Sequence, residues 1–272
     1  MTAVPVFLYH SVSDDPPAWI APFTVPPKVF AEQLERIADA GLTVVPLRRL
    51  VAALRGGPAL PARAAVLTFD DGFADFYWKV APLLTERNLP ATLYVTNGAL
   101  HVPGDEPDGS LLPPAPMLNW RQVVTLDALG FEIGGHTQTH PQLDTLPRRK
   151  LCTEIKLSKL RLEEVLDHPV TSFAYPHGYS SLTVRRMVRD AGWTSATAVA
   201  NAFSSGSDDP FRIARLMVRS DTPAELFDAW TRGAGAPVAP FREQLRTTGW
   251  RYYRRARAAL GRPVGGPPVL DA

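Results

Sequence analysis

Residues 64–72 run Ala64-Ala65-Val66-Leu67-Thr68-Phe69-Asp70-Asp71-Gly72. The first six form a short apolar, β-rich run that reads as a strand, and two carboxylates stand side by side where it stops. Residues 73–87 follow at helical spacing, with Pro82 expected to bend the helix. This unit of strand, polar stop and helix recurs in both directions. Upstream, 4–9 reads as strand, 28–40 as a helix closed by Gly41, 42–45 as strand and 47–55 as a short helix. Downstream, strands at 93–96, 131–134, 172–175, 195–199 and 213–218 alternate with helices at 119–129, 147–166, 181–191 and 223–233. Asn119 is the expected N-cap of the first of these helices. Such β–α alternation predicts a parallel sheet, closed or nearly closed into a barrel.

The composition suits one large domain. The chain has 272 residues, 45% hydrophobic and 21% charged, enough to bury roughly 70–75% of its unfolded surface. A disordered chain, a coiled coil and a disulfide-built module are excluded. The single cysteine, Cys152, cannot form an internal disulfide and removes multi-cysteine metal sites from consideration. Net charge is +2, but the last 32 residues carry seven arginines against two acids. The remaining body is mildly acidic, which argues against nucleic-acid binding. No apolar run approaches a membrane span, and no basic, apolar leader opens the chain, so a cytoplasmic protein is expected. Residues 1–235 read as the main domain, which holds all the β–α units. Residues 236–272 read as a linker and basic helical tail.

Polar clusters recur where strands stop. His10 follows the first strand, Asp70-Asp71-Gly72 the third, Gly135-His136 the strand at 131–134, and Tyr175-Pro176-His177-Gly178 the strand at 172–175. In a β/α barrel these strand ends share one face, where active sites are built. His136 and His140 are four residues apart, within reach of one ion on a helical turn, although Pro141 favours a tight loop instead. With Asp71 they make two imidazoles and a carboxylate, a common open site for a divalent metal. Each piece also has a plain reading: aspartates cap helices, and histidine pairs occur on surfaces.

The segments Thr68-Phe69-Asp70-Asp71-Gly72 and Gly134-Gly135-His136-Thr137-Gln138-Thr139-His140 together resemble the polysaccharide deacetylase family, the NodB-like carbohydrate esterases. Leu8-Tyr9-His10-Ser11-Val12, Leu118-Asn119-Trp120 and Phe173-Ala174-Tyr175-Pro176-His177-Gly178 are similar to the branch that includes exopolysaccharide poly-N-acetylglucosamine deacetylases. The resemblance spans about residues 4–220. It implies a distorted (β/α)7-type barrel that removes N-acetyl groups from amino sugars with a divalent metal, usually zinc. It further implies Asp71, His136 and His140 as metal ligands, Asp70 as general base, His10 as general acid and the His177 backbone N–H as oxyanion donor. Tyr175, Trp19 and Trp120 are candidates for contact with the sugar.

The chemistry asks for these roles, because an amide carbonyl is a poor electrophile and an amine a poor leaving group. Three departures stand out. Ala174 occupies the register where many relatives carry an arginine that orients the base, and Arg215, at the end of the segment 213–218, is the candidate replacement. The lack of a leader favours a cytosolic precursor, a lipid-linked sugar or a small metabolite over an exported polymer. The tail arginines Arg251, Arg254, Arg255, Arg257 and Arg262 read as a solvated helix, or as a contact to anionic membrane or diphosphate groups. Two rival functions remain: removal of another acyl group, such as formyl, from a lipid-linked or small amino sugar or a cyclic amide, and a non-catalytic carbohydrate-binding relic. Nothing indicates oligomeric state.

Overall fold

The computed structural model describes residues 3–100, 110–241, 245–260 and 262. His101 and the middle of the proline-rich loop at 97–116 lie outside the described residues. The strands are β1 (Val6–Tyr9), β2 (Ser11–Val12), β3 (Thr24–Val25), β4 (Thr43–Val44), β5 (Ala64–Phe69), β6 (Thr92–Val95), β7 (Glu132–Gly135), β8 (Ser172–Ala174), β9 (Ser195–Thr197) and β10 (Leu216–Met217). The α-helices are α1 (Pro27–Asp39), α2 (Leu47–Leu54), α3 (Ala81–Glu86), α4 (Trp120–Ala128), α5 (Arg148–Leu166), α6 (Leu182–Asp190), α7 (Ala224–Thr231) and α8 (Leu245–Ala259).

The main sheet is parallel throughout and runs β10-β1-β5-β6-β7-β8-β9, with β4 added beside the start of β5. A parallel bridge between Thr197 and Ile213 joins the far edge to the segment that enters β10. The sheet therefore curls toward a barrel, as the alternation predicts. β1, β5, β6 and β7 are buried along their whole length, the pattern of a parallel sheet covered on both faces. Helices supply the outer cover through apolar stripes, such as Phe30, Leu34 and Ile37 of α1.

Local chemistry sets most boundaries. Asn119 caps α4 through a reciprocal box: its side chain accepts from the Gln122 N–H, and the Gln122 side chain accepts from the Asn119 N–H, both at 2.9 Å. The helix expected over 73–87 is instead a π-helical turn at Phe76–Val80 followed by α3. Pro82 has no amide for the carbonyl four residues back, and the turn before it widens. The short β2–β3 ladder, which pairs Ser11 with Thr24, carries no sequence signal of its own. The 213–218 segment shortens to β10 at Leu216–Met217.

The C-terminal tail forms α8, as its helical propensity suggests, but it is not simply solvated. Arg255 is exposed, whereas the Arg254 side chain is 1% exposed against Asp144. Among the described residues no helix is long and apolar enough to cross a membrane.

Candidate metal centre

Because all the strands run parallel, the residues that follow β1, β5, β7 and β8 emerge at one end of the sheet. Asp71 is buried, and its Oδ1 lies 3.4 Å from His136 Nε2 and 3.2 Å from His140 Nε2. Neither contact has hydrogen-bond geometry, so this buried oxygen has no partner. One ligand atom from each of the three residues falls within 4.8 Å of the others. His136 Nδ1 lies 2.9 Å from the Ala174 carbonyl, a contact that places a proton on Nδ1 and, in the neutral ring, turns the Nε2 lone pair to the carboxylate. A lone pair opposite a carboxylate oxygen in a buried site calls for a cation between them. The donor set therefore fits a divalent metal.

The ligand loop is held under strain. Asp71, Thr137, His140 and His177 all have positive φ, at 75°, 71°, 66° and 57°. For non-glycine residues this costs about 1–3 kcal/mol each and persists only where the surroundings enforce it. Glu154 on α5 supplies much of that enforcement, accepting the Gln138 N–H, the Thr139 N–H and the Thr139 hydroxyl at 2.7–3.0 Å. Thr137 Oγ1 accepts the His140 N–H at 2.9 Å. Before the loop, glycine is required at 135: a Cβ there would meet the Trp193 ring at 2.3 Å.

Asp70 lies beside the triad, with its Oδ2 3.9 Å from His136 Nε2. Arg215 meets it with a bidentate fork, Nη1–Oδ1 and Nη2–Oδ2 both at 2.7 Å. Arg215 also donates to Thr68 Oγ1 and to the Ala198 carbonyl. Burial works against the Asp70 carboxylate, but Arg215 and His136 outweigh it and keep its pKa below the usual range. For Asp71, burial is likewise outweighed, by His140 and His136, and its pKa lies well below that range. Arg215 precedes β10 rather than ending a strand, and its side chain is fully buried.

The other expected residues divide. His10, after β1, lies close enough to Asp71, Asp70, Arg215 and His136 to feel their charges. Burial lowers its pKa while the two carboxylates oppose that shift, and its Nδ1 is buried without a partner. His177 brings its ring to 4.7 Å from the His140 ring, a contact not foreseen from the sequence. The bonds of its turn run from the Gly178 amide to the Tyr175 carbonyl and from the Tyr179 amide to the Pro176 carbonyl. Tyr175 corrects the expectation of sugar contact: it is fully buried and its hydroxyl donates to the Phe211 carbonyl. Trp19 is half-buried and donates to the Pro114 carbonyl, tying down the end of the proline-rich loop. Trp120 is half-buried at the start of α4 and packs on the main core.

Outside the site, His168 is exposed and pairs with Asp127, Met117 is buried with Ile20 and Phe73, and Cys152 is half-buried on α5. A groove of about 800 Å³ between α5 and α6 contains none of the site residues. Glu154 was invisible to sequence reasoning, since a glutamate on a helix has no distinguishing signal.

The sequence profile of the family described as Polysaccharide deacetylase matches residues 58–196, just over half of the chain. The Bacillus subtilis protein named "Putative polysaccharide deacetylase YxkH" is 20% identical over 227 residues, covering 84% of this chain and 75% of that protein. The Escherichia coli K12 poly-beta-1,6-N-acetyl-D-glucosamine N-deacetylase is 36% identical over 75 residues, covering 28% of this chain and 11% of that much longer protein. Among solved structures, the Streptococcus pyogenes deacetylase PplD superposes with a TM-score of 0.71 at 23% identity, covering 82% of this chain and 96% of PplD. IcaB from Ammonifex degensii also gives 0.71, at 22% identity, covering 87% of this chain and 98% of that one. These two show the shared fold. With the profile match and the Asp-His-His cluster, they lead to one conclusion: this chain belongs to the polysaccharide deacetylase family of N-deacetylating hydrolases.

Proposed function

We propose that this protein hydrolyses the N-acetyl group of an amino sugar within a glycan or glycan precursor, giving the free amine and acetate. The observation that carries the reading is the juxtaposition of two differently partnered aspartates, Asp70 gripped by Arg215 and Asp71 facing two imidazoles. Asp71, His136 and His140 would hold the metal, and zinc suits one carboxylate with two imidazoles. When bound, it supplies Lewis acidity, polarising the amide carbonyl and making water a better nucleophile.

The chain's own groups supply the rest. Asp70 accepts the proton of the attacking water, and Arg215 keeps it ionised and aimed. The His177 N–H donates to the oxygen on which charge develops. His10, just past β1, delivers a proton to the departing nitrogen. A half-buried Trp19 or Trp120 would meet the sugar. The exposed Arg255 and Tyr252 on α8 are where the protein would touch an anionic headgroup or diphosphate. Action in the cytoplasm is part of this reading, in keeping with a single cysteine, and cell fractionation tests it.

The decisive assay is release of acetate, scored against formate, from N-acylated glucosamine oligomers by metal-loaded protein. Acetate release that is abolished in Asp70→Asn, with metal content unchanged, supports the reading. Formate release alone moves the assignment to a deformylase, and no release from any acylated sugar rejects it.

A further inference from the structure

Helix α8 lies beyond the barrel, yet one of its arginines is among the largest fully buried side chains of the protein. Arg254 meets Asp144 with a bidentate fork, Nη1–Oδ1 at 2.9 Å and Nη2–Oδ2 at 2.8 Å, and donates to Gln142 Oε1 at 3.1 Å. Both acceptors lie just past His140, in the segment that carries this candidate ligand. The same guanidinium lies 3.4 Å from the centre of the Tyr179 ring. One helical turn earlier, Trp250 Nε1 donates to the Tyr179 hydroxyl at 3.1 Å.

Tyr179 carries the contact inward. Its ring is 5.8 Å from the His177 ring at an angle of 30°, and the His177 ring is 4.7 Å from the His140 ring. A continuous chain of contacts therefore runs Arg254, Tyr179, His177, His140, the last of them edge-on at 64°. It joins two loops whose key residues are both left-handed, His140 at φ 66° and His177 at φ 57°. Such conformations relax unless something outside the loops holds them. Glu154 grips residues 138 and 139 from one side and Thr137 holds the His140 N–H, while α8 packs behind the 142–144 segment and Tyr179. A buried ion pair is weak evidence of stability and stronger evidence of a fixed arrangement.

We propose that Arg254 is a positioning residue for the metal centre, with α8 acting as a clamp that fixes His140 and the His177 turn from outside the barrel. The inference rests on the reading of Asp71, His136 and His140 as ligands. Arginine is required rather than lysine, because one planar group both forks a carboxylate and stacks on a ring.

The test compares wild type with Arg254→Met, Arg254→Lys and Tyr179→Leu. Zn2+ affinity is measured by chelator competition, and the visible spectrum of the Co2+ form reports ligand geometry. Arg254→Met and Tyr179→Leu are expected to weaken Zn2+ binding about 10- to 100-fold, the usual effect of losing an outer-shell support, and to alter the Co2+ bands. Arg254→Lys is expected to fall between them and wild type. Should Arg254→Met fail to fold, Tyr179→Leu decides, since it leaves the Arg254–Asp144 pair in place. Wild-type affinity and Co2+ spectrum in folded Tyr179→Leu and Arg254→Met overturn the clamp. Failure of wild type itself to bind metal would instead reject the ligand assignment beneath it.

Discussion

Replacing Arg215 with methionine isolates the pairing that prepares Asp70. The guanidinium and the carboxylate are 0% and 3% exposed and share two contacts of 2.7 Å. Removing the cation leaves the carboxylate buried, with His136 Nε2 3.9 Å away and no guanidinium to share its charge. Breaking a buried pair in this way costs about 3–5 kcal/mol, a large share of the roughly 5–15 kcal/mol that stabilises a domain. The pH dependence gives a second handle. In wild type the folded pKa of Asp70 is depressed, so its contribution is complete above the unfolded carboxylate value and is lost as pH falls through the folded one. Without Arg215, burial dominates and raises the folded pKa, so the penalty is largest at neutral pH and shrinks as acid protonates Asp70. Urea unfolding of wild type, Arg215→Met and Arg215→Met/Asp70→Asn at pH 7.5 and pH 5 measures both effects. The double variant should recover much of the loss. A penalty below about 1 kcal/mol, or one independent of pH, would refute the reasoning.

Other consequences follow from single contacts. His10→Ala should abolish turnover while metal content stays at the wild-type level; retained turnover in an acetate-release assay removes its acid role. Glu154→Ala releases three hydrogen bonds from the ligand loop and should weaken metal binding about 10- to 100-fold in chelator competition. Gly135→Ala drives a methyl into Trp193 and should cost about 1–3 kcal/mol in denaturant unfolding. Burial raises Asp75 to about 6, against the hydrogen bond it accepts from Ser11. The folded state then binds the extra proton, so this group favours stability at low pH and withdraws it as pH rises from about 4 to 6. Asp75→Asn should therefore raise the melting temperature at pH 7.5 and leave it nearly unchanged at pH 4.

Much of this was legible in the sequence because it is local. The strand at 64–69, the capped helix after Asn119 and the polar residues past each strand are written in adjacent positions. The parallel topology then brings those residues together. Arg215 was readable only as a substitute for an expected partner, since nothing adjacent to it in sequence announces a 145-residue reach to Asp70. Glu154 and Arg254 look like ordinary helix surface residues, and their importance comes from the loops they happen to face. Tyr175 misled because it stands at a strand end beside His177 while its own side chain turns into the core, its hydroxyl on the Phe211 carbonyl. The widened turn before Pro82 reflects competition between a missing amide and the packing of Phe76, which no local pattern ranks.

The most direct test of the account is bound metal per chain after zinc loading and exhaustive dialysis, for wild type, His136→Ala and Asp70→Asn. The account predicts about one equivalent in wild type and in Asp70→Asn, and none in His136→Ala. A folded wild-type protein that retains no metal, or a His136→Ala variant that retains all of it, would contradict the central claim.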